Sequence, residues 1–132
     1  MPEVNWIAVL VCGIASLVLG GLWYSPPVFA KPWQAAAGLS DEQAQSGNMA
    51  LIFGGAFLLS LLAAAVFAMF IGTEMSVGAA TAAGFSAGLC WVAASFGINY
   101  LFERRPLKLW LINGGYHMLQ FTLFGLIIGL MQ

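Results

Sequence analysis

The sequence predicts an all-α membrane protein, a bundle of four transmembrane helices with a short cytoplasmic interfacial helix between the first helix and the second. The composition is 61% hydrophobic and 7% charged, with a mean hydropathy of +0.92, whereas a soluble domain carries about 25% charged residues. The charged residues leave four long uncharged runs, 4–30, 43–73, 75–102 and 109–132. Each run exceeds the roughly 20 apolar residues that cross a bilayer as a helix.

Membrane-spanning strands are disfavoured. The segment 58–67 shows none of the polar and apolar alternation that a spanning strand requires. Helices satisfy their own backbone amides in lipid without partners. We therefore predict a single integral membrane domain over residues 1–132.

The first predicted helix covers about residues 4–24. Its apolar run could act as a secretory signal, with Val28-Phe29-Ala30 as the cleavage site. However, the segment before the run carries Glu3 and no basic residue, and the run is longer than the apolar region of a signal peptide, so we expect this helix to be retained. Ser25-Pro26-Pro27 ends it, because prolines remove backbone donors and clash with a continuing helix.

The long connection over residues 25–48 is predicted to contain a surface helix around Trp33. The residues that follow Lys31 are compatible with an amphipathic helix, and tryptophan suits the level of the lipid headgroups. Gly38 is expected to end this helix. A loose polar loop is the alternative.

Ser40 and Gln43 have the spacing of a capping box, with acidic residues in the first turn. The second transmembrane helix, at about 49–71, is therefore expected to begin as early as Asp41 in the cytoplasm and to run from there into the membrane.

The third and fourth predicted helices cover about residues 77–101 and 107–131. The basic residues lie in two connections only: Lys31 in the first, and Arg104, Arg105 and Lys108 in the third. By the positive-inside rule, the first and third connections are cytoplasmic. Both termini and the turn near Glu74 are then predicted to be periplasmic.

Few residues in the sequence carry recognisable chemistry. Cys12 and Cys90 fall inside predicted spans without a Cys-x-x-Cys pairing, so we expect neither a disulfide nor a metal site. No carboxylate lies inside a span, and no Ser-His-acid set shares one depth. We expect no enzyme activity, no catalytic residue and no cofactor. The basic cluster is too short to bind nucleic acid and is expected to meet anionic lipid headgroups.

Every predicted helix carries small residues at four-residue spacing. In lipid, such ridges promote helix association through close approach of the backbones. The residues predicted to pack helices in this way are Gly20, Ser60, Ala64, Gly84, Gly88, Gly125 and Gly129. We expect a tight bundle, and a homo-oligomer that uses whichever ridge the bundle leaves free.

The fourth predicted helix carries a polar stripe. Asn113, Tyr116, His117 and Gln120 fall at positions i, i+3, i+4 and i+7 of one face. Counting inward from the cytoplasmic ends gives a similar depth for residues on the other helices: Ser16, Ser60, Trp91 and Ser95. The sequence therefore predicts one polar layer near the midplane, with the imidazole turned toward protein.

Two interpretations of His117 remain open. An ionisable group at that depth is a functional candidate by default, as a proton relay or a substrate contact. Alternatively, a neutral imidazole hydrogen-bonds Ser95 or Asn99 and fixes the fourth helix against the third.

A polar and aromatic collar is predicted at the cytoplasmic mouth of the bundle. Its members are Tyr24, Trp33, Asn99, Glu103, Arg104, Arg105 and Lys108. Glu103 is expected to form an interfacial ion pair with a nearby arginine, which contributes little to stability unless it is partly buried.

Three segments invite a comparison with a known family. They are Trp23-Tyr24-Ser25-Pro26 through Lys31-Pro32-Trp33, the run from Asn99 to Lys108, and Gly115-Tyr116-His117. In order and spacing they resemble the signature segments of small bacterial inner-membrane proteins catalogued as domain of unknown function 1761. The resemblance spans essentially the whole chain. It implies a four-helix protein of the bacterial inner membrane and brings no established activity with it.

These observations favour a non-enzymatic structural or accessory membrane protein that self-associates through its small-residue ridges. The alternative is an oligomeric transporter or channel for protons or small solutes, whose path includes Asn113, His117 and Gln120. A third class comprises membrane enzymes and lipid-binding chaperones. The expected partners are the lipid bilayer, further copies of the chain and a larger membrane complex.

Overall fold

The computed structural model describes residues 3–132, and no β-strand occurs in that range. Its helices are α1 (Trp6–Trp23), α2 (Ala30–Ala37), α3 (Asp41–Gln45), α4 (Met49–Ile71), α5 (Val77–Glu103) and α6 (Leu107–Leu130). The predicted all-α fold is confirmed. Residues 1 and 2 of the domain predicted over 1–132 lie outside the described range.

Four of these helices, α1, α4, α5 and α6, are long and apolar enough to cross a membrane. Their bounds agree with the predicted spans to within two residues at each end. Large apolar side chains cover their outer surfaces, as at Phe70 and Leu101, which are 77% and 80% exposed. Exposing so much apolar surface to water is unfavourable, so the chain is a multi-pass membrane protein.

The first connection contains the predicted surface helix, α2, which ends at Gly38 in the left-handed conformation, with φ 74°. The predicted capping box is confirmed, since Ser40 Oγ accepts from the Gln43 amide and Gln43 Oε1 accepts from the Ser40 amide. The expected start of the second span at Asp41 is wrong. The chain leaves the helical conformation after α3, and Asn48 begins α4 by accepting a hydrogen bond from the Leu51 amide.

The helix α6 is the centre of the bundle. It packs along α5 on one side and along α1 on the other, while α4 packs mainly on α1. In contrast, α4 and α5 make little contact with each other. The four spanning helices are therefore not a closed ring, and an open seam separates α4 from α5.

Glycines bring the backbones of α5 and α6 into direct contact. A Cβ atom added at Gly84 would overlap the Phe121 carbonyl oxygen, and one added at Gly125 would overlap that of Ala80. A Cβ added at Gly88 would lie 2.7 Å from the His117 carbonyl oxygen. Only glycine permits this approach, so these positions hold the helix pair together as predicted for small residues in lipid.

The small residues named for helix packing all make contacts within the chain. Gly84, Gly88, Gly125 and Gly129 lie between α5 and α6, Gly20 lies against Tyr116, and Ser60 and Ala64 lie in the buried face of α4. Self-association through the small residues that the bundle leaves free stays a prediction.

The helix α5 contains a π-helical segment, Gly88–Ala93, between two α-helical segments. A π turn inserts one extra residue into the helical repeat. The residues that face α6 therefore follow one register up to Gly88 and a register shifted by one residue after it. Trp110 pins the segment, since its Nε1 donates to the Ala93 carbonyl oxygen at 2.7 Å.

Asn5 holds the N-terminus of α1, which is the end predicted to be periplasmic. Its Oδ1 accepts from the Ile7 and Ala8 amides and its Nδ2 donates to the Met131 carbonyl oxygen at 2.8 Å. We expect Asn5→Ala to lower the free energy of unfolding by about 1–2 kcal/mol, because a cap and an interhelical bond are lost together. Asn48→Ala removes only a cap, so a smaller loss is expected in the same SDS unfolding titration. Equal losses would contradict a role for the Met131 bond.

Candidate functional site

Gln120 connects three spanning helices near the middle of the bundle. Its side chain is buried, at 5% exposure. Its Nε2 donates to Ser16 Oγ of α1 at 3.0 Å and to Ser60 Oγ of α4 at 3.3 Å. Its Oε1 lies 2.8 Å from His117 Nδ1. The structure thus brings together four of the residues that the sequence predicted for a midplane polar layer.

The His117 ring is enclosed by aromatic side chains. It stacks on Phe96 with the ring centroids 5.0 Å apart and an interplanar angle of 13°, and it meets the edge of Tyr116 at 4.9 Å. Because Gln120 presents its oxygen to Nδ1, the neutral ring carries its proton on Nδ1 and a lone pair on Nε2. Nε2 forms no hydrogen bond with the described residues and is not fully buried, because every fully buried side-chain nitrogen or oxygen among them has a partner.

The predicted contacts of His117 with Ser95 and Asn99 are wrong. Ser95 Oγ donates to the Trp91 carbonyl oxygen of its own helix, and Ser95, Asn99 and Trp91 are all exposed. The π segment is the physical reason, because its extra residue moves the inward-facing positions forward by one. Phe96 therefore occupies the place predicted for Ser95, and Tyr100 the place predicted for Asn99.

A second polar cluster surrounds Asn113, nearer the predicted cytoplasmic side. Tyr24 donates to Asn113 Oδ1 at 2.6 Å, and Asn113 Nδ2 donates to the Tyr100 hydroxyl at 2.9 Å. Tyr116 donates to the Ser16 carbonyl oxygen at 2.9 Å. The cluster joins α1, α5 and α6.

The two polar clusters line a single cavity of about 590 Å³. Its polar wall consists of Ser16, Tyr24, Asn113, Tyr116 and His117. Its apolar wall comes from four helices, with Trp33 of α2, Gly20 of α1, Ile52, Phe53 and Ala56 of α4, and Phe96 of α5. A largely apolar cavity with a few convergent polar groups is the usual form of a small-molecule site.

Between α1, α4 and α6, the cavity ends at a packed core, while the seam between α4 and α5 beside it is open. Beyond Gln120 toward the other membrane face, the core contains only apolar side chains: Ala8, Val9, Cys12, Ala64, Phe67, Ala68, Phe124 and Ile128. Phe124, Cys12 and Ser16 are among the most completely buried side chains. The polar groups therefore form a pocket that reaches inward from one face and stops at a packed core.

The predicted collar is divided in the structure. Tyr24 and Trp33 meet edge to face, with centroids 5.4 Å apart, at the rim of the cavity. Glu103 and Arg105 form an ion pair at 3.6 Å, but both are exposed, so the pair contributes little. Arg105 also donates to the Ala37 carbonyl oxygen at 3.3 Å, which ties the third connection to α2.

The remaining collar residues lie at the surface. Arg104 ends α5 in the left-handed conformation, with φ 59°, and Lys108 is exposed in the first turn of α6. Neither lines the cavity. Both are exposed on the surface of the bundle.

No group of three His, Cys, Asp or Glu residues that could hold a metal ion occurs in residues 3–132. Cys12 is buried in the core and Cys90 is exposed, and neither is in a disulfide. The groups that converge on the cavity are hydroxyls, a carboxamide and one imidazole. These groups can bind and orient a molecule through hydrogen bonds.

Sequence reasoning missed Phe96 and Tyr100, the two α5 side chains that contact the polar stripe. The glycine spacing carried a weak signal of the register shift. Gly84 and Gly88 are four residues apart, whereas the next glycine that packs on α6, Gly97 against Trp110, follows after nine. A continuous α-helix with the same four-residue repeat would place that glycine eight residues after Gly88.

Comparison with known proteins identifies a family. The family model described as "Protein of unknown function (DUF1761)" matches residues 7–129. No curated protein and no solved structure matches the chain.

Proposed function

The chain belongs to the DUF1761 family, and from that premise we propose that it is a non-enzymatic membrane protein that binds a small uncharged molecule in the cavity beside His117. The convergence of five polar side chains on one cavity of about 590 Å³ carries the proposal. The binding role is an accessory one, in which the protein holds a molecule without transforming it.

His117 Nε2 specifies the polar group of the ligand. The hydroxyls of Tyr24 and Tyr116 and the amide of Asn113 already have partners within the protein. Nε2 is an acceptor without one, so a ligand that donates a hydrogen bond satisfies it. A charged ligand would have no counter-ion here, because the described acidic and basic residues lie outside the polar wall of the cavity.

The packed apolar core beyond Gln120 favours binding over conduction. Transport through the predicted path of Asn113, His117 and Gln120 would require the apolar core beyond Gln120 to separate. We therefore prefer a one-sided pocket. The basic residues of the first and third connections support a cytoplasmic mouth, periplasmic termini and an inner-membrane location.

The single histidine makes the test direct. His117 is the only histidine of the chain, so protein labelled with ¹⁵N-histidine in lipid nanodiscs gives the two ring-nitrogen resonances of a single imidazole. We expect a neutral ring with the proton on Nδ1. Cyclohexanol should shift the Nε2 resonance in a saturable manner, whereas methylcyclohexane, which has a similar shape and no donor, should not.

A pair of variants controls for partition into the lipid. Ala56 lines the cavity and Ala50 does not, although both are exposed on α4. We expect Ala56→Trp to abolish the saturable shift and Ala50→Trp to preserve it. The absence of a saturable shift in the unmodified protein, or an equal shift in both variants, would rule out the proposed cavity.

A further inference from the structure

A second cavity lies on the same seam as the first. It has a volume of about 650 Å³ and is lined, apart from Ser86, by apolar side chains of α4 from Leu59 to Ile71, of α5 from Ala83 to Val92, and by Phe121 of α6. The polar cavity borders the preceding part of α4, from Ile52 to Ala56. The two cavities therefore follow one another along the gap between α4 and α5.

One continuous stripe of α4 faces both cavities. Its residues recur at intervals of three or four: Ile52, Ala56, Leu59, Ala63, Val66 and Phe70. This is the spacing of one helix face. From the level of Ala56 to that of Phe70 the stripe extends by about 21 Å, which is longer than the roughly 15 Å of one hydrocarbon leaflet.

We propose that the two cavities form one site for a single-chain amphiphile, with an uncharged hydroxyl head beside His117 and a hydrocarbon chain along the seam between α4 and α5. The inference rests on the proposed function, because the head occupies the polar cavity. It adds the class of the ligand and a lateral route of entry from the membrane.

The seam between α4 and α5 lies on the lipid-facing side of the bundle, where large apolar side chains such as Leu59 and Phe70 are exposed. The occupant that reaches it most directly is a hydrocarbon chain. The apolar cavity holds about 650 Å³. A hydrocarbon chain fits such a volume, and it moves from the lipid into the cavity without leaving apolar surroundings.

The polar end explains why this occupant differs from bulk lipid. A chain alone gains little by moving from lipid to an apolar protein groove, since both surroundings are equally apolar. The hydrogen bond to His117 Nε2 is available only to a molecule whose head reaches the polar cavity. Selectivity is therefore expected to come from the head, and the seam sets the length of the chain.

The test compares a short and a long alcohol. Titrations with cyclohexanol and with 1-hexadecanol are followed by the His117 ¹⁵N signal in nanodiscs. Ser86 and Ala82 are both exposed on α5, but only Ser86 lines the apolar cavity. We expect Ser86→Trp to weaken hexadecanol binding by at least about 10-fold and to leave cyclohexanol unchanged, while Ala82→Trp alters neither.

Cross-linking supplies a second measurement on the unmodified protein. Hexadecanol with a diazirine at the end of its chain should label residues 59–71 and 83–92 upon illumination. Labelling spread evenly over all lipid-facing surfaces would overturn the proposal that the hydrocarbon chain lies along the seam, and so would an unchanged hexadecanol affinity in Ser86→Trp. In either case, saturable binding of cyclohexanol would still support the polar site. Absence of any saturable His117 response to either alcohol defeats the proposed function itself.

Discussion

Replacing Gly125 by alanine is expected to lower the free energy of unfolding by about 3 kcal/mol or more. The added methyl group would overlap the Ala80 carbonyl oxygen and lie 2.9 Å from Thr81 Cα. Both atoms belong to the backbone of α5, which cannot rotate away as a side chain does. Relief therefore requires α5 and α6 to separate, and overpacking of this kind is among the costlier substitutions.

Gly54 offers the matched control for this prediction. It lies within the spanning helix α4 and has no atom near the position of an added Cβ. Gly54→Ala should leave stability unchanged or raise it by up to about 1 kcal/mol through helix propensity. SDS unfolding of both variants, followed by tryptophan fluorescence, makes the comparison. Equal stabilities would mean that the α5–α6 contact does not depend on glycine.

Replacing Gln120 by alanine is expected to cost about 3 kcal/mol. The substitution removes the interhelical bonds to Ser16 and Ser60, which average roughly 0.6 kcal/mol each in membrane proteins, and the bond to His117 within α6. It also leaves a void at a buried position, which adds a cavity cost. Because α1, α4 and α6 meet at this side chain, the loss affects three helices.

Two further variants separate the causes. Gln120→Met keeps most of the volume but none of the polar bonds, so a loss of about 1–2 kcal/mol is expected. Gln45→Ala changes an exposed glutamine of α3 and should remain within about 0.5 kcal/mol of the unmodified protein. Equal effects of Gln120→Met and Gln45→Ala in the same unfolding titration would contradict a stabilising polar node.

The spanning helices could be predicted from the sequence because lipid imposes simple rules. A span must be long and nearly uncharged, and the charged residues mark its ends. The polar stripe of α6 was also predictable, since its residues share one face of a regular helix. Ser16 and Ser60 were found by depth alone, because spans that cross the same bilayer bring equal depths together.

The partners on α5 could not be predicted, because periodicity was extended across a helix assumed to be regular. The π segment depends on the packing of Gly88 and Trp110 against neighbouring backbone, which involves residues distant in the sequence. A one-residue shift exchanged Ser95 and Asn99 for Phe96 and Tyr100. The fate of the glycine ridges was undetermined for a similar reason, since spacing alone does not distinguish a partner within the chain from one outside it.

The open seam also has a mechanical consequence. The helix α4 is attached along one flank, mainly to α1, whereas α5 and α6 are interlocked through their backbones. Regions with few packed contacts are the first to open in a folded protein. We therefore expect α4 to move sideways more readily than the other spanning helices, while α5 and α6 stay fixed against each other. A ligand could then enter from the bilayer between α4 and α5 without separating α5 from α6.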